Sequence, residues 1–369
     1  MRSPPAATRC QVARTLPIPA LFTREGLAAE LWSAVDALID RASEEGVLAH
    51  KLGSLAAVRR RAVGKPVLET FAAEARAASV AGLSAAAVLR RVREVADGPL
   101  LLLKGPEVAA HYPLHGRWFG DVDVLTPDAS GLHLALREHG FLEVETPFDH
   151  SEHHHLAPLR WPVVPFDVEV HATPNSPYGM KAQALGEIVE SAVPSVVAVD
   201  GVSAPCRLHH AVILAAHAWA HEPLQTLRDL LDVAVLAADE SSAELERVAG
   251  AWGLGRVWGA TQRAIEDVFF GGRRTVALAT WARHLAAVRE RTVFESHLQA
   301  ALHPFWGRPP GPALVESLAA IGTDLFPARG EDWDVKLRRI PRAIRDARAP
   351  RSGRAEQGRQ QRPRRTGRR

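Results

Sequence analysis

The pattern of apolar and polar positions predicts a chain that is helical at its beginning. From Thr23, a residue suited to cap a helix, apolar side chains recur every three or four positions, as they do on one face of a helix. Gly46 is expected to end the first helix, and Gly82 to interrupt a later one. We therefore predict a loose arm over residues 1–22 and a helical region over residues 23–98.

The middle of the chain changes to short apolar runs separated by turn residues, which indicates a sheet. The strands are expected at residues 100–104, 121–125, 141–145, 153–159, 164–171 and 196–199. The helices between them are expected at residues 106–112, 128–139 and 182–193. The predicted fold class is α+β, with a small mixed β-sheet core over residues 99–206.

Helical spacing returns after the core. The helices of a second helical region, residues 207–337, are expected at 208–220, 223–238, 242–252, 256–270 and 274–302. From residue 338 the apolar period is lost, and we predict a disordered basic tail over residues 338–369.

One strand carries regularly spaced carboxylates. In the run Asp121-Val122-Asp123-Val124-Leu125, alternation places Asp121 and Asp123 on one face, while Val122 and Val124 face a core. Carboxylates at this spacing form a site for a hard divalent cation.

A second strand supplies further acidic groups. In residues 166–171 the same alternation places Asp167, Glu169 and His171 on one face. Two divalent cations that also hold a triphosphate need more negative charge than two Asp provide, so a third carboxylate is expected. Glu169 is the first candidate for it, and Asp167 is the weaker one.

The segment before the Asp121 strand offers groups for phosphate. An apolar run ends at Lys104-Gly105, where Gly permits close backbone approach and Lys carries a mobile ammonium. Arg117 lies four residues before Asp121, and its guanidinium could clamp a phosphate or pair with a neighbouring acid. The sequence favours the phosphate role and leaves the pairing open.

In these stretches the chain resembles the polymerase-beta-like nucleotidyltransferase superfamily, in its branch of poorly characterised bacterial nucleotidyltransferases. The branch pattern is lKG, then RxxGDxDhL, then hExH. The matching residues here are Leu103-Lys104-Gly105, Arg117-Trp118-Phe119-Gly120-Asp121-Val122-Asp123-Val124-Leu125 and Val168-Glu169-Val170-His171. The resemblance covers about residues 24–240.

The resemblance implies roles for particular residues. Asp121, Asp123 and Glu169 would be the catalytic metal ligands for two Mg²⁺ ions. The groups near the nucleotide would be Lys104, Gly105, Arg117 and Gly120. It also implies that the second helical region covers the cleft, with His217 and Asp232 near it. The usual Gly-Gly or Gly-Ser turn is replaced here by Gly105-Pro106, which lacks one backbone donor and a hydroxyl.

Histidines add candidates with weaker signals. His155 shares a strand face with His153 and could line the pocket beside Glu169. Zinc is disfavoured because no compact ligand set with Cys is near. His171 is expected to orient a carboxylate or the substrate. His217 could equally be a buried histidine with a nearby acidic partner.

Charge and cysteine content limit the classes of protein. The net charge is +3, but thirteen Arg against Asp346 and Glu356 give residues 338–369 a charge of +11, so the rest carries 3 − 11 = −8. Such a tail could contact nucleic acid or another polyanion. Two cysteines are too few for a disulfide framework. Without a signal peptide or a long apolar run, we expect a cytoplasmic protein without a membrane span.

These observations favour a metal-dependent nucleotidyltransferase that moves a nucleoside monophosphate from a nucleoside triphosphate to a hydroxyl of an unknown acceptor. The altered Gly105-Pro106 turn motivates one alternative, a catalytically silent scaffold or binding protein. Two others follow from the kinds of relative in the superfamily: a toxin-like transferase acting on tRNA, and a tailoring enzyme for a peptide natural product.

Overall fold

The computed structural model describes residues 24–144, 156–177, 185–327 and 332–346. The fold class is mixed α and β, with a seven-stranded sheet between helical regions. The N-terminal helices are α1 (Arg24–Arg41), α2 (Glu44–Ala49), α3 (Gly53–Ala62) and α4 (Glu69–Val95). Within the sheet region lie α5 (Pro106–Ala109), α6 (Ala129–Glu138) and α7 (Leu185–Glu190).

The C-terminal region is helical throughout its described part. Its first helices are α8 (Arg207–His221), α9 (Leu227–Ala237), α10 (Ser242–Ala251) and α11 (Gly255–Phe270). They are followed by α12 (Val276–Thr280), α13 (Arg283–Ala287), α14 (Val293–Leu302), α15 (Pro304–Gly307), α16 (Pro310–Leu325) and α17 (Trp333–Asp346). Helix α17 runs past residue 338, where the tail was predicted to begin, and residues 347–369 lie outside the described residues.

The sheet is mixed, with its two five-residue strands at the centre. The strands are β1 (Leu101–Leu102), β2 (Asp121–Leu125), β3 (Leu142–Glu143), β4 (Leu159–Arg160), β5 (Asp167–His171), β6 (Val193–Pro194) and β7 (Ser203–Ala204). Their order is β3-β4-β5-β2-β1-β7-β6. Strands β2 and β5 are parallel, whereas β1 is antiparallel to β2, and β4 to β5. The two acid-bearing strands are therefore direct neighbours.

The sheet separates two hydrophobic cores. Val122 and Val124 lie in a core that α6 and the second half of α4 complete. Leu125, two residues beyond Asp123, belongs to the other core, which α1, α3, α8, α9 and α11 share. Because side chains alternate along β2, the acidic residues lie on the face toward α8 and α9.

Two glycines that were expected to end or interrupt helices lie inside them. Ser43 starts α2 by accepting a hydrogen bond from the Gly46 amide, 3.1 Å away, so Gly46 is within a new helix. A Cβ at Gly46 would lie 2.0 Å from the Val288 carbonyl oxygen. The glycine is therefore needed because the backbone at Val288 packs directly against it. Gly82 lies within the continuous α4, where burial of Ala81 and Ala85 outweighs a glycine cost of about 1 kcal/mol.

Two other predicted elements are also wrong. The helix expected at 274–302 is divided into α12, α13 and α14, because Thr275 and Thr292 cap new helices and Val288 adopts a left-handed conformation. The strand expected at 196–199 is part of the connection between β6 and β7. The Glu107 carboxylate accepts hydrogen bonds there from the Ser195 hydroxyl and the Val196 amide. The Val196 amide is therefore not available to pair with a neighbouring strand.

Helix α4 is the one described helix that is long and apolar enough to cross a membrane. It has 27 residues and contains an 18-residue window with a mean hydropathy of 1.2. A core helix of a soluble protein passes the same test, and the apolar face of α4 packs in both cores.

Candidate active site

The parallel pairing of β2 and β5 brings the predicted acidic residues together. In the register, Asp123 lies opposite Glu169, and Asp121 lies opposite Asp167. The alternation that the sequence indicated is present, because Val122, Val124, Val168 and Val170 are fully buried on the other face. Both strands are apolar on one side and acidic on the other, so burial of the valines fixes which face carries the carboxylates.

Three side chains form a group that could hold a cation. One ligand atom each of Asp123, Glu169 and His171 lies within 4.8 Å of the others, and this is the one such group found among the described residues. The His171 Nε2 atom lies 3.0 Å from Asp123 Oδ1 and 3.8 Å from Glu169 Oε2. His171 is therefore positioned to orient the Asp123 carboxylate and is also near enough to serve as a ligand. Asp121 shares the face at the start of β2.

The carboxylates repel one another in a partly buried setting. Burial raises the pKa of Glu169, and the charges of Asp123 and Asp121 raise it further, to about 8. Burial and the charge of Asp123 also raise the pKa of Asp121. A divalent cation would relieve this crowding, since it favours the ionised carboxylates. The donor set therefore fits a divalent cation that prefers carboxylate oxygen.

The Lys104-Gly105 turn lies directly beside these strands. Gly105 has φ 64° and ψ −120°, a conformation that only glycine adopts easily. A Cβ there would lie 2.7 Å from the Asp121 carbonyl oxygen. The turn thus approaches the β2 backbone as closely as the chain permits. Pro106 follows at the first position of α5. Because proline has no amide N–H, the turn keeps its glycine but lacks a backbone donor at the next residue.

Helix α8 covers this turn and contributes a histidine to the site. The Lys104 ammonium lies 2.5 Å from Nε2 of His217. His210, two turns earlier on the same helix, contacts the Leu103 carbonyl oxygen through its own Nε2. The ring of His217 also lies 4.4 Å from that of His221, centroid to centroid. The C-terminal helical region therefore contacts the turn through His217 and His210.

Residues 32–269 match the model of a family described as uncharacterised nucleotidyltransferase, which is well over half of the chain. The chain belongs to this nucleotidyltransferase family. No curated protein and no solved structure matches it. The matched region contains the whole sheet and helices α8 to α10, together with nearly all of α11, so the site described above lies within it. The protein is a nucleotidyltransferase, and nucleotidyl transfer is its general activity.

Arg117 of this nucleotidyltransferase is buried and paired with an acid. Its Nε and Nη2 atoms each donate to one Asp232 oxygen at 2.7 Å, and both side chains are buried. Of the two alternatives for Arg117, the structure shows the ion pair with a neighbouring acid. The guanidinium also donates to the Gly105 carbonyl oxygen at 3.3 Å, so it supports the Lys104-Gly105 turn.

Asp232 accepts a further hydrogen bond from the Tyr112 hydroxyl, at 2.6 Å. Burial by itself would raise the pKa of Asp232, but the charge and hydrogen bonds of Arg117 outweigh it and lower the pKa. Asp232 is therefore an ionised anchor on α9 for the loop before β2. It is linked to the Lys104-Gly105 turn through Arg117.

The remaining candidates lie at different distances from the acidic group. Asp167 accepts two hydrogen bonds from Arg160, at 2.6 and 3.0 Å, at the edge of the site, so the pairing competes with a catalytic role. The Gly120 carbonyl oxygen accepts from the Asp167 amide at 3.1 Å, which joins the ends of β2 and β5. His155 lies outside the described residues.

Two basic residues of the nucleotidyltransferase site were not assigned a role from the sequence patterns. The charge of Asp121 affects the pKa of Lys51, and the charge of Arg228 affects the pKa of Asp121, so both basic residues lie near this carboxylate. They come from separate helical regions. One signal in the sequence could have identified Lys51. The chain contains only five Lys among its 45 basic residues, and two of the five, Lys51 and Lys104, lie at this site.

Proposed function

We propose that the protein transfers a nucleoside monophosphate from a nucleoside triphosphate to an acceptor hydroxyl, with divalent cations, Mg²⁺ in the first place, bound by Asp121, Asp123 and Glu169. One observation carries the proposal. The β2–β5 register brings three carboxylates onto one face, beside a glycine turn that carries a lysine. This is the chemistry that a metal-bound triphosphate needs.

The residues have separate tasks in this reaction. The acceptor oxygen forms a bond to the α-phosphorus, and the bond from that phosphorus to the bridging oxygen breaks, releasing pyrophosphate. Glu169 would help to hold the cation, which would keep this carboxylate ionised although crowding raises its pKa to about 8 without metal, and the ionised carboxylate accepts the hydroxyl proton. Lys104 binds the phosphates, steadied by His217. Bound cations would supply the positive charge that neutralises the phosphates and the leaving pyrophosphate.

The test is transfer of label from α-labelled nucleoside triphosphates in Mg²⁺. Labelled nucleotides are incubated in turn with tRNA, with small peptides and with cell extract, because the first two each represent one class of acceptor and the extract supplies the others. We expect wild type to label one class, and Glu169→Gln to do so at least about a hundredfold more slowly, the scale of a lost general base. Asp167→Asn is the matched control, because Arg160 already pairs with that carboxylate.

The Gly105-Pro106 turn, where Pro106 removes one backbone donor, motivated the alternative of a catalytically silent scaffold, and membership of a nucleotidyltransferase family argues against it. A scaffold would release no pyrophosphate in Mg²⁺ with any acceptor. Transfer that is equally fast in Glu169→Gln and wild type would remove Glu169 from the reaction. A cytoplasmic location, where nucleoside triphosphates are abundant, is part of the proposal.

A further inference from the structure

Two basic side chains from distant parts of the chain meet at the rim of the site. Lys51 lies between α2 and α3, and Arg228 lies in the first turn of α9. The Leu227 amide donates to Nδ1 of His50 at 3.3 Å. Because Lys51 follows His50 and Arg228 follows Leu227, this hydrogen bond holds the two basic residues beside each other.

Arg228 and the start of α3, just after Lys51, contact the loop that leads into Asp121. Arg228 Nη1 donates to the Trp118 carbonyl oxygen at 3.4 Å. Near Lys51, the Ser54 hydroxyl donates to the Gly116 carbonyl oxygen at 3.0 Å and accepts from the Trp118 amide at 3.2 Å. Arg228 and the segment that carries Lys51 are therefore both joined to residues 116–118, shortly before Asp121.

Within the described ranges, neither Lys51 nor Arg228 forms an ion pair with a carboxylate, in contrast to Arg117. Burial lowers the pKa of the Lys51 ammonium, and the charge of Arg228 lowers it further. Lys51 also has φ 57°, which is unfavourable for a residue with a side chain. Two repelling cations held together in this way are suited to an anion that neutralises both.

A small cavity opens beside Lys51, with a volume of about 160 Å³. Its arginines are already paired: Arg291 with Glu222 at 2.9 Å, and Arg289 with Glu295 at 2.6 Å. His50 and His284 in its wall are neutral at pH 7, because burial lowers their pKa to about 4 and about 3. Among the described residues that line this cavity, which also include Glu222 and Glu290, Lys51 is the cation without a carboxylate partner.

We propose that Lys51 and Arg228 bind a phosphate group of the substrate on the Asp121 side of the active site. The inference rests on the proposed function, and it deepens it. The phosphate has two conceivable sources: the terminal phosphates of the nucleoside triphosphate, or a phosphate on the acceptor. A dianionic phosphate matches two adjacent cations, one of them an arginine that can donate two parallel hydrogen bonds.

The test measures binding of inorganic triphosphate, of a nucleoside triphosphate and of the matching monophosphate, all in Mg²⁺, by calorimetry. Lys51→Met removes the charge, Lys51→Arg keeps it, and Lys51→Gly removes it while relieving the left-handed backbone. Lys65→Met is the control, because Lys65 is an exposed lysine that pairs with Asp40. Unfolding temperatures verify that each variant folds.

If the pair holds the terminal phosphates, Lys51→Met and Lys51→Gly should weaken binding of both triphosphates by about tenfold or more. Monophosphate affinity should be unchanged, and Lys51→Arg and Lys65→Met should resemble wild type. If the phosphate belongs to the acceptor, inorganic phosphate should still bind, in a Lys51-dependent manner, to protein saturated with a non-hydrolysable nucleoside triphosphate. Either result supports the proposal and identifies the source.

The proposal is overturned if removing the Lys51 charge changes none of these affinities. Failure of the proposed function looks different. In that case wild type would bind no nucleotide in Mg²⁺, whereas inorganic triphosphate would still bind, and would bind more weakly to Lys51→Met. The two failures are therefore distinguishable in the same set of titrations.

Discussion

Glu169 is the residue at which burial and charge crowding are combined most strongly. Its carboxylate lies opposite Asp123 on the neighbouring strand, and its side chain is only 22% exposed. The repulsion between this carboxylate and those of Asp123 and Asp121 is relieved when a cation binds or when Glu169 takes up a proton. Without a cation, the folded protein holds a proton on Glu169 over a pH range in which the unfolded chain has released it.

The stability of the metal-free protein should therefore depend on pH through Glu169. Its pKa is raised from 4.5 to about 8 in the folded state, so the folded state binds more protons than the unfolded state between these values. Stability should fall as pH rises from 5 to 8. In a chelator, Glu169→Gln should unfold at a higher temperature than wild type at pH 8, and the difference should shrink toward pH 5. An equal difference at both pH values would contradict the raised pKa.

Between elements, the Arg117–Asp232 pair joins the loop before β2 to α9. Arg117→Met would leave the buried Asp232 carboxylate without its cationic partner, which typically costs about 3–5 kcal/mol. Arg160→Met breaks the pair with Asp167, in which the Arg160 side chain is 51% exposed, and should cost about 1 kcal/mol or less. Urea unfolding measures both. Equal losses would show that the Arg117 pair does not anchor the loop.

The Lys104-Gly105 turn is the second connection that can be tested at this scale. Gly105→Ala combines an unfavourable backbone conformation with a contact of 2.7 Å to the Asp121 carbonyl oxygen. Gly140→Ala is the matched control, since Gly140 has φ 94° and no atom within 4 Å of an added Cβ. Gly105→Ala should lower the unfolding temperature more, and it alone should weaken nucleotide binding. Nucleotide affinity that is unchanged in Gly105→Ala would exclude the turn from the site.

Across the whole molecule, local patterns were sufficient wherever one face of an element is buried. The alternation in β2 and β5 predicted which side carries Asp121, Asp123 and Glu169, because a shift of one residue would expose every valine. Helices were missed or misplaced where packing overrides local preference. Helix α4 continues through Gly82 because it serves both cores, a requirement that no window of neighbouring residues contains.

Long-range partners were the part that the sequence could not supply. Arg117 and Asp232 are 115 residues apart, and the partner of Arg117 decides whether it clamps a phosphate or anchors a loop. The convergence of Lys51 with Arg228 depends on a hydrogen bond between residues 177 positions apart. Residue type indicated the chemistry at the carboxylates, whereas the fold alone determines which basic side chains lie near them.

The central claim is that Asp121 and Asp123 hold a nucleotide through a divalent cation. Calorimetric titration of nucleoside triphosphates into the protein, with Mg²⁺ and with a chelator, tests it most directly. Wild type should bind at least one nucleotide only when Mg²⁺ is present. Asp121→Asn and Asp123→Asn should lose that binding, while their metal-free stability stays equal or rises because carboxylate repulsion is relieved. Asp167→Asn should bind as wild type does. Binding of equal strength in both Asn variants and in wild type would contradict the account.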